Sequence, residues 1–243
     1  MTENSLEGYF IWYASITELQ DQSTWEFALK TLSEEERLKV MRFYQKDDQK
    51  RSLLSILMQR SIIRHALKVS ENEYVIRRTR ENKPYAISLK KAIGRWNYNV
   101  SHHGDFVAIA SHPHLIVGVD LVTLSTRSSL TNTFAEFLEM FSEQLTQTEM
   151  QSIMTEKSEA MQYQHFFIIW SLKESFIKAI GAGLSYDLKY ANFTVEFSPA
   201  YKNGLNPLSG TAALNIAGQE RKDWRFVFFS LDENHVISIA LGK

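Results

Sequence analysis

The sequence contains no cysteine, which excludes disulfide bonds and thiolate-bound metal ions. It has only ten glycines and four prolines in 243 residues, with no low-complexity tract and no fixed-period repeat. This composition excludes collagen-like, linker-like and solenoid structures. No run approaches the roughly 18 apolar residues of a membrane-spanning helix. The pattern therefore predicts a globular protein without a membrane span.

Charge of neither sign dominates, because 27 lysines and arginines face 28 acidic residues, for a formal net charge of −1. This balance argues against a nucleic-acid partner, so any anion site must be a local cluster of basic residues. The first seven residues are acidic and lack the basic start and apolar run of a secretory signal. We therefore expect a cytoplasmic protein, in which the glycosylation sequons at Asn99 and Asn192 are chance matches.

Periodic patterns predict strands and helices interspersed along the chain. Strands are predicted over 8–16, 74–78, 98–101, 105–111, 115–121, 192–197, 211–216, 224–231 and 235–241. Helices are predicted over 34–43, 47–69, 130–140, 143–154 and 161–180. Grouped strands with separate helices are typical of an α+β fold. A polar stretch over 123–129 predicts a boundary between an N-terminal α+β subdomain, 1–122, and a C-terminal one, 123–243.

An aspartate ends an otherwise apolar strand at Gly118-Val119-Asp120. The two-residue period of a strand places Asp120 on the same face as Gly118 and Val122, and Gly118 would leave room beside it for a ligand. A carboxylate at this position needs a hydrogen bond, a charged partner or a cation. Two interpretations stay open, a cation ligand and a cap of the following turn.

The helix predicted over 161–180 carries Trp170, Glu174 and Lys178 in line, four residues apart, and ends at Gly181 and Gly183. Apolar residues cover more than one side of this helix, so we expect it to be largely buried, with Glu174 and Lys178 at the wall of a cleft. The alternative is a plain ion pair worth about 0.2–0.5 kcal/mol.

Histidines gather at two predicted turns, His102 and His103 after Asn99, and His112 and His114 further on. Zinc is one interpretation, but the spacing fits no helix-borne ligand pair. A single imidazole that donates a hydrogen bond to a phosphate is the functional interpretation we favour. The alternative is turn histidines without a chemical role.

Basic residues are frequent in the N-terminal half of the chain. They are Arg37, Lys39, Arg42, Lys46, Lys50, Arg51, Arg60, Arg64 and Lys83. Any one of them is typically a solvated charge, and acidic neighbours such as those at 34–36 argue against a nucleic-acid surface. Convergence of a few of them on a polyphosphate is compatible with the sequence.

Taken in order along the chain, these segments resemble the 4'-phosphopantetheinyl transferase superfamily. The resemblance is to its long, monomeric type, which activates surfactin synthetase and, in eukaryotes, aminoadipate-semialdehyde dehydrogenase and fatty acid synthase. The segments are Arg42-Phe43-Tyr44 with Asp48 and Arg51, Asn82-Lys83-Pro84, Asn99-Val100-Ser101-His102, Gly118-Val119-Asp120, and the helix from Trp170 through Lys178 to Gly181 and Gly183.

The resemblance implies a fold of two similar α+β halves related by a pseudo-two-fold axis, with coenzyme A bound in the cleft between them. It implies Mg²⁺-dependent transfer of 4'-phosphopantetheine from coenzyme A to a serine of an apo carrier protein, with release of adenosine 3',5'-bisphosphate. The acceptor would be a carrier domain of a fatty acid synthase, a polyketide or peptide synthetase, or an aminoadipate dehydrogenase.

The resemblance also implies roles for particular residues. Asp120 and Glu174 would be Mg²⁺ ligands and, with Lys178, the catalytic group, and Glu174 or a metal-bound water would be the base. The residues implied to bind coenzyme A are Lys39, Arg51, Lys83, Ser101, His102 and Lys178. Glu149 matches a further acidic position near the active site.

One position departs from the bacterial pattern, because Val122 stands where bacterial members usually carry a second strand carboxylate. Magnesium keeps several waters and needs only one or two protein carboxylates plus substrate phosphates, so this does not argue against activity. A water, held by His103 or its backbone, is expected in the vacated position. Two other functions stay open: a catalytically inactive coenzyme A-binding module and a protein-interaction scaffold.

Overall fold

A computed structural model describes residues 9–124, 133–199 (without the side chain of residue 184) and 208–243. The chain divides into two units, Met1–Leu115 and Ile116–Lys243. The division lies before the strand that carries Asp120, whereas the sequence pattern placed it after residue 122. The reason is that this strand pairs along its whole length with the last strand of the chain.

The first unit combines helices with two separate antiparallel sheets. Its helices are α1 (Gln22–Lys30), α2 (Glu34–Met41) and α3 (Lys46–Leu67), and its strands are β1 (Phe10–Ser15), β2 (Tyr74–Arg78), β3 (Pro84–Ser88), β4 (Asn97–His103) and β5 (Phe106–His112). One sheet has the order β1-β5-β4, and β2 pairs with β3.

The 22-residue helix α3 forms the centre of the core of the first unit. Its Leu53, Met58 and Ile62 are almost completely buried in one cluster with Trp12 and Ile109 of the sheet. The hydroxyl of Tyr98 on β4 donates to Gln59 Oε1 of α3 over 3.1 Å. Strand β4 therefore presents its Tyr98 side to α3.

The second unit is built on a larger antiparallel sheet. Its strands are β6 (Ile116–Thr123), β7 (Asn192–Phe197), β8 (Ser209–Ile216), β9 (Gln219–Glu220), β10 (Trp224–Ser230) and β11 (His235–Gly242). The strand order is β6-β11-β10-β8-β7, with β9 paired to β8. The helices are α4 (Phe134–Glu139), α5 (Gln147–Met154) and α6 (Glu159–Ile180).

Helix α6 is buried on two sides, as its apolar pattern predicts. Leu172 and Phe176 belong to a core cluster with Phe226 and Val236 of the sheet. Phe166 and Ile169 belong to another cluster, which α4 and α5 complete. The helix begins at the N-cap Ser158, whose side chain accepts from Met161 N, and ends at Gly181 with φ of 67°.

The predicted α+β fold is confirmed, and most predicted elements are present with ends shifted by a few residues. Helix α1, strand β3 and the two-residue strand β9 were not predicted. Helix α5 begins at Gln147 rather than 143, because Thr146 and Glu149 form a capping box. Most of the predicted boundary stretch, 123–129, and the predicted start of a helix at 130 lie outside the described residues. The pseudo-two-fold relation between the halves stays a prediction.

Within the described part of the chain, no helix combines the length and the hydropathy that crossing a membrane requires.

Candidate active site

Strand β6 and helix α6 approach each other closely at Gly118. A Cβ at this position would overlap the carbonyl oxygen of Ser175 and lie 2.5 Å from the backbone nitrogen of Ala179. The space beside Gly118 is therefore filled by the backbone of α6, and the prediction that it leaves room for a ligand is wrong. Since strand side chains alternate, Asp120 also points to the face that α6 covers.

Asp120 contacts Lys178 of α6 directly. Lys178 Nζ lies 2.5 Å from Asp120 Oδ1, and the two side chains are 30% and 9% exposed. An aspartate buried to this degree requires compensation of its charge. The ammonium of Lys178 provides that compensation, so Asp120 is more than a cap of the following turn.

Glu174 lies one helical turn before Lys178 and is partly buried. The pKa of Glu174 is raised above its ordinary value, first by burial and then by the Asp120 carboxylate, and Lys178 offsets only part of this rise. Two carboxylates that interact in this way repel each other and share a need for positive charge. The structure thus brings Asp120, Glu174 and Lys178 together, as the resemblance implies.

A buried hydroxyl lies beside this group. Ser238 of β11 is directly opposite Asp120 in the β6–β11 ladder, so the two side chains share one face of the sheet. The Ser238 hydroxyl is fully buried and has no hydrogen-bond partner among the described residues. Val122, two residues further along β6, is buried in the core cluster with Leu172 of α6.

These residues fit a magnesium ion whose ligands come partly from the protein and partly from a substrate. Within the described ranges no group of three or more His, Cys, Asp and Glu side chains could hold a metal. Mg²⁺ does not need such a group, because it commonly binds one or two carboxylates, waters and substrate phosphates. Asp120 and Glu174 match the protein part of that donor set, and the Ser238 hydroxyl lies nearby.

In the first unit, Arg51 of α3 reaches the turn between β4 and β5. Its Nη1 donates to the carbonyl oxygen of Gly104 over 2.6 Å, and its Nη2 pairs with Asp48 Oδ1 at 2.7 Å. His102, exposed near the end of β4, shares the α3 side of that strand with Tyr98. The structure therefore places two of the predicted coenzyme A ligands at the same turn.

The other predicted ligands of this unit lie in different settings. Ser101, next to His102, points to the opposite face of β4 and is buried. Lys39 is exposed on α2, where its Nζ pairs with Glu35 Oε1 at 2.7 Å. Lys83 precedes strand β3 and is partly buried, and this burial lowers its pKa to about 8.

The histidines at the second turn have a structural role. Nδ1 of His112 accepts hydrogen bonds from the backbone nitrogens of His114 (2.9 Å) and Leu115 (2.8 Å). Those bonds use the lone pair through which Nδ1 would bind zinc. His112 therefore stabilises the turn that leads into β6, in line with the alternative of histidines without a chemical role.

Glu149 is a structural residue, and its partner Lys173 was missed in the sequence. Both side chains are fully buried, with Lys173 Nζ 2.9 Å from Glu149 Oε2. Glu149 also accepts from the backbone nitrogens of Thr146 (2.7 Å) and Phe193 (2.8 Å). The pair joins α5, α6 and β7. A lysine inside the apolar helix pattern was the signal that could have revealed it.

Comparison with known proteins finds two matching families. The family described as "4'-phosphopantetheinyl transferase, N-terminal" matches residues 20–114, and the one described as "4'-phosphopantetheinyl transferase superfamily" matches residues 116–240. The two matches meet where the two structural units divide.

Individual relatives are similar over most of their length. An L-aminoadipate-semialdehyde dehydrogenase-phosphopantetheinyl transferase of Homo sapiens is 30% identical over 240 residues, covering 98% of this chain and 76% of the relative. A phosphopantetheinyl transferase of Thraustochytrium sp. is 31% identical over 214 residues, covering 86% and 70%. An L-aminoadipate-semialdehyde dehydrogenase-phosphopantetheinyl transferase of Schizosaccharomyces pombe is 31% identical over 182 residues, covering 69% of this chain and 68% of the relative.

Proposed function

Because the chain belongs to the 4'-phosphopantetheinyl transferase superfamily, we propose that it transfers 4'-phosphopantetheine from coenzyme A to a serine of an apo carrier protein in an Mg²⁺-dependent reaction. The observation that carries this proposal is the meeting of Asp120, Glu174 and Lys178 between β6 and α6. It supplies two carboxylates for a divalent ion and a cation for a phosphate.

The reaction moves one phosphoryl centre between two oxygens. The serine oxygen attacks the β-phosphorus of coenzyme A, and the bond from that phosphorus to the bridging oxygen breaks. Adenosine 3',5'-bisphosphate leaves with the bridging oxygen, and the serine proton passes to a base. Negative charge grows on the phosphate oxygens, so catalysis depends on positioning and on positive charge at the diphosphate.

Each residue of the group has a task that its position permits. Asp120 and Glu174 would hold Mg²⁺, which supplies positive charge to the diphosphate when bound. Lys178 would donate hydrogen bonds to a phosphate oxygen from the last turn of α6. Glu174, or a water that it orients, is the proposed acceptor of the serine proton.

The proposal extends to the first unit, where His102 and Arg51 at one turn, with Lys83, would bind coenzyme A phosphates. Ser101 and Lys39 complete the proposed set, although the ion pair between Lys39 and Glu35 already compensates the Lys39 charge. Both family matches lie in one chain, which supports action as a monomer. A cytoplasmic location is part of the proposal.

The acceptor is proposed by class. The Homo sapiens relative is named for L-aminoadipate-semialdehyde dehydrogenase, which supports a carrier domain of such a dehydrogenase as one acceptor for this chain. Carrier domains of fatty acid, polyketide and peptide synthases are the other acceptors to test. A panel of these apo domains at equal concentration would rank them by initial rate.

Mass spectrometry of an apo carrier incubated with the chain, coenzyme A and Mg²⁺ tests the proposal. Transfer adds about 340 Da to the carrier, as expected for one phosphopantetheine group. The matched control contains a chelator in place of Mg²⁺. Calorimetric binding of coenzyme A without any mass gain would instead identify an inactive binding module. The absence of Mg²⁺-dependent coenzyme A binding would favour a protein-interaction scaffold.

A further inference from the structure

The contact between Lys178 and Asp120 concerns the same carboxylate that the proposed function assigns to Mg²⁺. Lys178 Nζ lies 2.5 Å from Asp120 Oδ1. The Asp120 side chain is almost completely buried, whereas that of Lys178 is 30% exposed. A cation from the chain thus already compensates the buried aspartate.

The backbones on either side of this contact are fixed. Asp120 lies inside β6, which pairs with β11 along its length. Gly118 brings the backbone of α6 against the same strand, so the spacing of strand and helix is set by backbone contact. Lys178 reaches Asp120 from the last turn of α6 through a flexible four-carbon stem. The ammonium can therefore move while the strand and the helix stay in place.

Electrostatics make the ammonium and a divalent ion competitors. Asp120 and Glu174 together offer two negative charges, and Lys178 acts on both of them. Addition of Mg²⁺ with Lys178 in place would bring two cations next to one carboxylate, which costs free energy at such short distances. A diphosphate nearby removes that cost, because it provides a negative group to which the ammonium can move.

We propose that the Lys178 ammonium compensates Asp120 until a divalent ion binds there. The ion would displace the ammonium from Asp120, and the ammonium would then bind the diphosphate of coenzyme A. This inference rests on the proposed function and specifies the order within it. Metal and coenzyme A bind cooperatively, each tightening the binding of the other by the same factor. In this scheme a positive charge, from either Lys178 or the divalent ion, balances the Asp120 carboxylate before and after the metal binds.

The Lys178→Met variant isolates the effect. It removes the charge and keeps an unbranched apolar stem, so the metal no longer competes with an ammonium. The chain alone should then bind a divalent ion more tightly than wild type, by a factor within the roughly 5–150-fold range typical of coupled sites. Coenzyme A should tighten metal binding by a smaller factor in this variant than in wild type, because only direct contact between the phosphates and the metal then couples the two ligands.

Titration with Mn²⁺ as a paramagnetic probe, followed by electron paramagnetic resonance, measures this directly with and without coenzyme A. Wild type should bind Mn²⁺ weakly alone and more tightly with coenzyme A, and Lys178→Arg should behave like wild type. Lys189→Met, at an exposed lysine of the same unit, is the matched control and should leave Mn²⁺ affinity unchanged. Lys178→Gln carries the test if Lys178→Met does not fold, as judged by circular dichroism.

Two results would overturn the inference. A folded Lys178 variant without charge that binds Mn²⁺ no more tightly than wild type would show that the contact is only structural. Equal Mn²⁺ affinity of wild type with and without coenzyme A would show that the sites are not coupled. Either result leaves the proposed function standing if wild type still adds phosphopantetheine to an apo carrier, which mass spectrometry determines separately.

Discussion

Asp120 on β6 and Ser238 on β11 lie directly opposite each other in an antiparallel ladder, so a charged group and a buried hydroxyl are neighbours on the face that α6 covers. The Ser238 hydroxyl has no hydrogen-bond partner within the residues that the structure describes.

Removal of that hydroxyl should therefore cost little stability. We expect Ser238→Ala to change the free energy of unfolding by less than about 1 kcal/mol, because no hydrogen bond is lost. Urea denaturation measures the change. Thr146→Val is the contrasting variant and should cost about 1 kcal/mol or more, since it removes the N-cap of α5 and the hydrogen bond to Asn192. A larger loss for Ser238→Ala than for Thr146→Val would contradict this account.

Gly118→Ala should destabilise the second unit. The added methyl would overlap the backbone of α6, and overpacking of this kind costs about 1–3 kcal/mol. The same change should lower transfer activity, because it pushes Lys178 and Glu174 away from Asp120. Thermal unfolding and a transfer assay measure the two effects.

Gly94→Ala gives a comparison for Gly118→Ala. No atom lies within 4 Å of a Cβ at Gly94, whose φ is 58°, so that variant tests backbone strain without overlap. It should lower stability by about 1 kcal/mol and leave activity unchanged. Equal loss of activity in the two variants would argue against the role assigned to Gly118.

Removal of one partner of the buried Glu149–Lys173 pair should be severe. Lys173→Met leaves the Glu149 carboxylate buried without its cation, and such changes cost about 3–5 kcal/mol. The double variant Glu149→Leu with Lys173→Met should recover part of that loss, since no charge is then left unpaired. Denaturant unfolding of the wild type, the single variants Lys173→Met and Glu149→Leu, and the double variant completes the cycle. If Lys173→Met lowers the free energy of unfolding by less than about 1 kcal/mol, the pair contributes little to stability.

Coenzyme A binding should weaken as pH rises through about 8. The pKa of Lys83 is lowered to about 8 by burial, so its ammonium is charged below that pH and neutral above it. Attraction to a phosphate is therefore present at neutral pH and is lost on the alkaline side. The Kd for coenzyme A, measured by calorimetry from pH 6.5 to 9.5, should rise above pH 8 in wild type.

The Lys83→Arg variant should remove that alkaline loss, because a guanidinium stays charged throughout the range. If Kd of the wild type rises no more steeply than that of the variant, Lys83 does not bind a phosphate.

Local patterns predicted much of this molecule. The spacing of apolar residues and the few charged positions identify both α6 and β6 in the sequence. The grouping of Asp120 with Glu174 and Lys178 came from the resemblance to a family and not from the local patterns. Those patterns did not reveal that Gly118 serves the packing of α6, since the strand order that sets this contact is not local. The pairing of Lys173 with Glu149 is not local either, because Glu149 lies on another helix.

Arg51 is a further example of this limit. One of its two partners is the backbone carbonyl of Gly104, 53 residues away in the sequence. A carbonyl group leaves no trace in side-chain patterns, so no motif could point to it. Only the resemblance to a family suggested that Arg51 and His102 belong to one site.

The central claim is that Asp120 holds the cation on which transfer depends. Its most direct test is mass spectrometry of an apo carrier incubated with coenzyme A, Mg²⁺ and either the wild type or Asp120→Ala, with folding of both checked by circular dichroism. We predict a gain of about 340 Da with the wild type and no gain with the folded variant. Transfer by Asp120→Ala at the wild-type rate would contradict the assignment.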